Sequence, residues 1–168
     1  YQIRASKLTG NVFITLPTGA GKTETALYWA RNNFTRKLFY VLPTTTTINA
    51  MYTRLRQIFG KEITSLYHSY LDIFIYLARK QAEDEAESYE NMLFSKYFLY
   101  PINVTTPDQL ILSMLNYKRY PLKNFSLYNA TIIFDEIHSY DAETFLLIKY
   151  LLRYLQEFNP RVCIRSAT

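Results

Sequence analysis

Two short stretches of the chain hold residue types that could do chemistry. The first, TLPTGAGKTETALYW at residues 15–29, places Gly19 and Gly21, two of only four glycines in 168 residues, directly before Lys22 and Thr23. Glycines so spaced let the backbone curl until successive amide hydrogens point inward, forming an anion nest above a helix N-terminus. A side chain at either position would obstruct the close approach of a phosphate. In such a loop the lysine reaches the β- and γ-phosphates and the threonine hydroxyl ligates Mg²⁺, so the stretch reads as a nucleoside-triphosphate site. The general pattern G-x-x-x-x-G-K-[ST] asks for glycine where this chain has Leu16, so the match is to the variant PTGxGKT.

The second stretch, TIIFDEIHSYD from Thr131 to Asp141, is an apolar run that ends in two adjacent acids with a histidine two places on. Charges on a buried strand are costly unless they emerge at its tip, where a cation compensates them. Mg²⁺ supplies that cation. Asp135 would hold it through water, while Glu136 orients and deprotonates an attacking water. His138 is open to three roles, as metal ligand, base or relay of the γ-phosphate state. With two histidines in the chain and none near it in sequence, zinc is disfavoured. His68, in LYHSYL, has no comparable context and reads as structural.

These stretches need elements that bring them together. NVFITL, KLFYVL, INVTT, TIIFD and RVCIRS read as strands, and most lack polar alternation, as strands covered on both faces do. Helical patterns fall between them at Lys22 to Asn32, Thr47 to Phe59, Leu71 to Leu99 with a break, Pro107 to Tyr117 and Ala142 to Phe158. The alternation predicts an α/β domain, a mostly parallel sheet flanked by helices. Ligands of such sheets bind at the carboxyl ends of strands, where the glycine loop would lie. The stretch from Leu71 to Tyr100 is expected to be a helical insertion with a solvent-facing acidic middle.

Composition agrees with one globular domain: 49% hydrophobic and 20% charged residues in 19.9 kDa. Residues 81–90 hold five of the fourteen carboxylates and no lysine or arginine, so a net charge of +5 leaves +10 on the remainder. A basic body of this kind could attract a polyanion. The single cysteine, Cys163, excludes an internal disulfide, suits a reducing cytoplasm and reads as a core residue. No signal peptide is evident, and the richest apolar run, near Phe145 to Leu155, is broken by Lys149 and Arg153, so no membrane span is expected. The chain opens without an initiator methionine and ends on RSAT, from which we expect a piece of something longer.

LPTGAGKTETA, FDEIHSYD and the terminal SAT, in this order, resemble motifs I, II and III of superfamily 2 DExH helicases, where the PTGxGKT variant is common. VLPTTTTINAMYTRL is similar to motif Ia, and VTTPDQLILSML to the threonine-containing motif of the same domain. The resemblance covers nearly the entire chain and implies the first RecA-like domain, residues 1–168, of an enzyme whose second RecA-like domain is absent here. Within the superfamily, TPDQLI followed by FDEIHSYD most resembles the CRISPR-associated helicase of type I interference systems.

Carried over, the resemblance assigns Thr18, Gly19, Ala20, Gly21, Lys22 and Thr23, with Glu24 beside them, to ATP and Mg²⁺, and keeps Asp135 and Glu136 in the roles already derived. Ser166 and Thr168, with His138, would couple hydrolysis to movement. Gln2 corresponds to the adenine-reading glutamine upstream of motif I. Nucleic acid is expected across the opposite rim, where Pro43, Thr44 and Thr45 end one strand and Thr105, Thr106, Pro107, Asp108 and Gln109 end another. Hydroxyls and freed amides at two helix starts could hold successive phosphates without reading bases. Threonine at a helix start is also an ordinary N-cap.

The activity implied is ATP hydrolysis coupled to 3′ to 5′ stepping along single-stranded DNA. A second RecA-like domain would close over ATP and supply an arginine. Arg161 and Arg165 lie on what should be an internal strand, poor places for such a finger. Alone, the domain should bind nucleotide weakly and hydrolyse it slowly or not at all. Relatives in this family often carry an HD nuclease; with no His-Asp dipeptide here, any nuclease lies upstream of Tyr1 or on another polypeptide. The implied partner is an RNA-guided surveillance complex. Two other readings stay open: a different superfamily 2 DNA translocase or RNA helicase, and a non-catalytic nucleotide-dependent interaction module. The intact Lys22, Asp135 and Glu136 set disfavours the last.

Overall fold

A computed structural model describes residues 1–17, 19–69, 85–115 and 120–167. Thr18, Thr168, the first half of the expected insertion, the beginning of the acidic run and the end of the helix expected over 107–117 lie outside the described residues. In chain order the elements are α1 (Gln2–Ala5), β1 (Val12–Leu16), α2 (Lys22–Asn33), β2 (Leu38–Val41), α3 (Thr45–Phe59), β3 (Thr64–Tyr67) and α4 (Glu85–Lys96). They continue with β4 (Ile102–Thr105), α5 (Pro107–Met114), α6 (Tyr120–Leu127), β5 (Thr131–Phe134), α7 (Ala142–Leu155) and β6 (Arg161–Ala167). The strands form one sheet in the order β1-β6-β5-β2-β4-β3, and every pairing is parallel.

The central strands β2, β4 and β5 are buried at every position, because helices cover both faces. Leu38, Tyr40, Ile133 and Cys163 pack against α2 and α3 through Ala26, Trp29, Ile48 and Leu55. Alternate residues Phe39, Val41, Ile132 and Phe134 pack the other way, onto Leu110, Leu127, Ile148, Leu151 and Leu155 of α5, α6 and α7. At the sheet edge β1 does alternate, with Ile14 and Leu16 buried and Phe13 and Thr15 exposed. Cys163 is buried, and burial pushes its thiol up to about 12. Trp29 is fully buried, and its indole N–H donates to the Gly10 carbonyl at 3.1 Å.

Several boundaries move for identifiable reasons. Helix α3 starts at Thr45 rather than Thr47, because Thr44 caps it: the Thr47 amide donates to Thr44 Oγ1 at 3.2 Å, and Thr47 Oγ1 accepts the Thr44 amide at 3.3 Å. Helix α7 is capped by Asp141, which accepts the Thr144 amide at 2.7 Å. Its last turn tightens into a 3₁₀ turn over Gln156–Phe158 before left-handed Asn159 and Pro160 stop it. Strand β3 escapes the sequence pattern because three of the four residues of TSLY bear hydroxyls; Ser65 donates to Asn103 Oδ1 of β4 at 2.9 Å, a buried polar pair inside the ladder. Helices α1 and α6 likewise have no counterpart among the expected helical patterns. Among the described residues no helix is long and apolar enough to cross a membrane.

The two-layer packing makes a contrast within one helix. Leu151→Ala, at a fully buried position of α7, should cost about 2–5 kcal/mol. Leu147→Ala, 42% exposed on the same helix, should change stability by less than about 0.5 kcal/mol. Urea unfolding of the two variants measures both.

Candidate functional site

Strand β1 ends at Leu16, and the loop that follows turns into α2 through two left-handed glycines, Gly19 at φ 82° and Gly21 at φ 74°. The conformation itself is what demands glycine. A Cβ on Gly19 would meet nothing within 4 Å, whereas one on Gly21 would come within 3.0 Å of Gln2 Nε2 and 3.6 Å of Glu24 Oε2. The steric obstacle at Gly21 within the chain is thus the tip of Gln2, which brings that residue from α1 to the glycine loop.

Gly21 is the N-cap of α2 and offers no side-chain cap; the first helical bond runs from the Thr25 amide to the Gly21 carbonyl at 3.0 Å. The amides before it belong to those a helix leaves without an internal acceptor, a donor set suited to an anion. Lys22, half-buried, makes no ion pair with a described residue. Glu24 is engaged: Arg54 of α3 pairs with its carboxylate, and its own backbone amide, more than that pair, holds the acid below its usual range against opposing burial.

Asp135 follows β5 and is 4% exposed. Its Oδ2 accepts from Tyr40 Oη of β2 at 2.8 Å and from Arg165 Nη1 of β6 at 2.7 Å, and its Oδ1 accepts the Glu136 amide at 2.7 Å. Burial pushes its carboxyl above the usual range in spite of Arg165 and these hydrogen bonds. Burial, then Asp135, drives the Tyr40 hydroxyl far above the ordinary tyrosine value. The glycine loop leaves β1 and Asp135 leaves β5, strands that flank β6 in the all-parallel sheet, so both come off the same carboxyl edge one strand apart. The two stretches, more than a hundred residues apart, converge there.

The adjacent acids diverge because Glu136 leaves the strand in the left-handed region, φ 54° and ψ 40°. For a non-glycine residue this costs about 1–2 kcal/mol. Asp135 stays inside, while the Glu136 carboxylate turns outward to His138, Oε2 to Nε2 being 3.1 Å. His138 Nδ1 accepts the Ala167 amide at 3.1 Å and lies 3.4 Å from Ser166 Oγ. A ring nitrogen that accepts carries no proton, so the proton sits on Nε2 and faces Glu136. Residues 136, 138, 166 and 167 thus form one chain of contacts.

Among the described residues no cluster of three or more His, Cys, Asp or Glu side chains could hold a metal. The available donors, the Thr23 hydroxyl and the Asp135 carboxylate, fit Mg²⁺ of the kind whose remaining ligands come from phosphates and water.

The positions expected to meet nucleic acid follow β2 and β4, neighbours in the sheet, with Leu42 N–H bonded to the Thr105 carbonyl at 3.1 Å. In an all-parallel sheet these lie on the same carboxyl edge as the glycine loop and the paired acids. The expectation of an opposite rim is corrected: the two sets share one edge, on β1, β6 and β5 and on β2 and β4 respectively. Pro43 and Thr45 flank exposed Thr44, whose hydroxyl is committed to the α3 cap. Thr106 is the N-cap residue of α5 without a side-chain bond, and its buried Oγ1 has no partner among the described residues. Pro107 opens the helix. Asp108 is exposed and accepts from Ser69 at 2.9 Å and from Gln109 Nε2 at 2.8 Å, while Gln109 is buried.

Sequence reasoning missed Tyr40 and Arg165 as members of the site. The signal was present: a charge inside an apolar strand needs a compensating partner, and the argument applied to Asp135 applies equally to Arg165.

Residues 1–168 match the family model of the DEAD/DEAH box helicases. A Methanocaldococcus jannaschii protein named as a CRISPR-associated nuclease/helicase Cas3 is 38% identical over 94% of this chain and 23% of its own length. The crystal structure of T. fusca Cas3 with AMPPNP superposes with a TM-score of 0.74 at 29% identity, over 95% of this chain and 19% of that one. A chain of a CRISPR RNA-guided surveillance complex before nicking gives 0.65 at 27%, over 99% of this chain and 17% of that one. The architecture is the RecA-like one of these helicase structures. The chain spans about a fifth of the length of the curated relatives it matches, between 18% and 23%.

The hydrogen bonds around His138 specify its tautomer. Nitrogen-15 NMR of histidine-labelled protein should find Nδ1 of His138 unprotonated and Nε2 carrying hydrogen; the opposite tautomer would break the link between Glu136 and Ala167.

Proposed function

Because the chain belongs to the DEAD/DEAH box helicase family, we propose that it is the ATP-binding first RecA-like domain of a longer CRISPR-associated helicase that steps along single-stranded DNA. The observation that carries this reading is the shared carboxyl edge of the glycine loop and the paired acids, on either side of β6, with Asp135 held inside and Glu136 turned out. A nucleotide-bound relative, T. fusca Cas3 with AMPPNP, has the same fold.

In this reading the amides of Gly19 and of Gly21 to Thr23 and the Lys22 ammonium bind the triphosphate, with Gln2, already at Gly21, on the side of the base. Thr23 and Asp135 hold Mg²⁺, which when bound neutralises phosphate charge. Glu136 accepts the proton of the attacking water, and the Nε2–H of His138 orients its carboxylate. Through His138 the same acid touches Ser166 and Ala167, so a change at Glu136 is felt at the end of β6, where Thr168 follows. A second RecA-like domain, from the rest of the polypeptide, closes the site and contributes an arginine.

DNA phosphates run across the starts of α3 and α5, held by the backbone amides that each helix leaves free there. The partner is an RNA-guided surveillance complex that loads the motor on a displaced strand, with an HD nuclease fused upstream or carried separately. A reducing, cytoplasmic setting suits the unpaired Cys163.

In the intact protein, Lys22→Ala and Glu136→Gln should each lower DNA-stimulated ATPase activity by about 100-fold or more. Only Glu136→Gln should keep Mg·ATP binding, measured with a fluorescent nucleotide. Wild-type turnover in either variant defeats the assignment, and stimulation by RNA but not DNA moves the chain to an RNA helicase.

A further inference from the structure

Arg165 is a charged residue in the interior of β6, 2% exposed, between the sheet and the helix that the glycine loop feeds. Its register partner on β1 is Ile14, and Ile133 and Cys163 of the neighbouring strand positions belong to the hydrophobic cluster there. Nη1 meets Asp135 Oδ2 at 2.7 Å and also donates to Tyr40 Oη, while Nε is buried without a hydrogen-bond partner among the described residues. A guanidinium left with an unpaired N–H is held there by charge more than by a complete set of acceptors.

The aspartate is thus neutralised before any metal arrives. Its Oδ2 is shared by Arg165 and Tyr40 and its Oδ1 is taken by the Glu136 amide. A bare divalent cation approaching this carboxylate meets a guanidinium in a region of low dielectric, and among the described residues no cluster of three or more metal-ligating side chains is gathered to offset the repulsion. A cation that brings a triphosphate with it carries its own excess of negative charge.

We propose that Arg165 is the resident counter-cation of Asp135 and makes metal entry conditional on the nucleotide, excluding free Mg²⁺ and admitting the metal–triphosphate pair. This rests on the reading that Thr23 and Asp135 hold the metal. Arg165 is a positioning residue: it acts through the aspartate and touches no reacting atom.

The test titrates the intact protein with Mn²⁺, read by electron paramagnetic resonance, with and without AMPPNP, in wild type, Arg165→Met and Arg165→Met/Asp135→Asn. Metal bound by a nuclease site is common to all three and subtracts out. In wild type the additional Mn²⁺ equivalent should appear only with nucleotide. Arg165→Met should bind it without nucleotide, roughly tenfold tighter or more than wild type, and the double variant should lose it. Equal nucleotide-free affinity in wild type and Arg165→Met overturns the proposal, as does persistence of the new equivalent in the double variant. Should Arg165→Met fail to fold, recovery of folded protein in the double variant supports the pairing, and equal loss in both overturns it. If wild type takes up no Mn²⁺ even with AMPPNP while Arg165→Met binds it alone, the nucleotide reading fails and the counter-cation stands.

Discussion

A carboxylate set inside a sheet is the constraint around which the rest is arranged. Asp135 sits at the end of a strand whose every residue is buried, and an ionised acid in such surroundings is tolerated only with charge and hydrogen bonds close by. Two neighbouring strands and its own supply them: Tyr40 from β2, Arg165 from β6, and the backbone just past β5. The strand order explains why these residues can meet, since β5 lies between β6 and β2 and all three run in one direction. Tyr40 and Arg165 are the buried side chains that answer the aspartate's need for hydrogen bonds and charge.

The same place explains how two consecutive acids come to differ. Extended backbone would alternate their side chains across the sheet, one toward each layer of helices. The left-handed turn at Glu136 instead releases the second acid from the sheet altogether and hands it to a histidine that is anchored on β6. Local strain of this kind persists where surrounding bonds over-determine it, and here the Asp135 side chain holds the very amide that makes the turn.

Much of this was legible in the residues themselves. Glycines before Lys-Thr, and paired acids after an apolar run, carry their chemistry in type and spacing, and continuous apolar runs such as LFYV and TIIF announce buried strands. What stayed hidden depends on partners distant in sequence. Strand β3 looks like loop until Asn103 is known to face Ser65. The hydroxyls of Thr44 and Thr47 look like free donors until each is seen closing the other's helix cap. Arg165 reads as a misplaced surface charge unless one asks what a buried cation would require.

Trp29 gives the chain an internal optical probe. It is the sole indole in the sequence, it lies fully shielded on α2 a little over two turns beyond Gly21, and its N–H is tied to the loop ahead of β1. The chromophore therefore bridges the approach to the glycine loop and the helix leaving it, so its emission maximum follows the seating of α2 against the sheet without any added label.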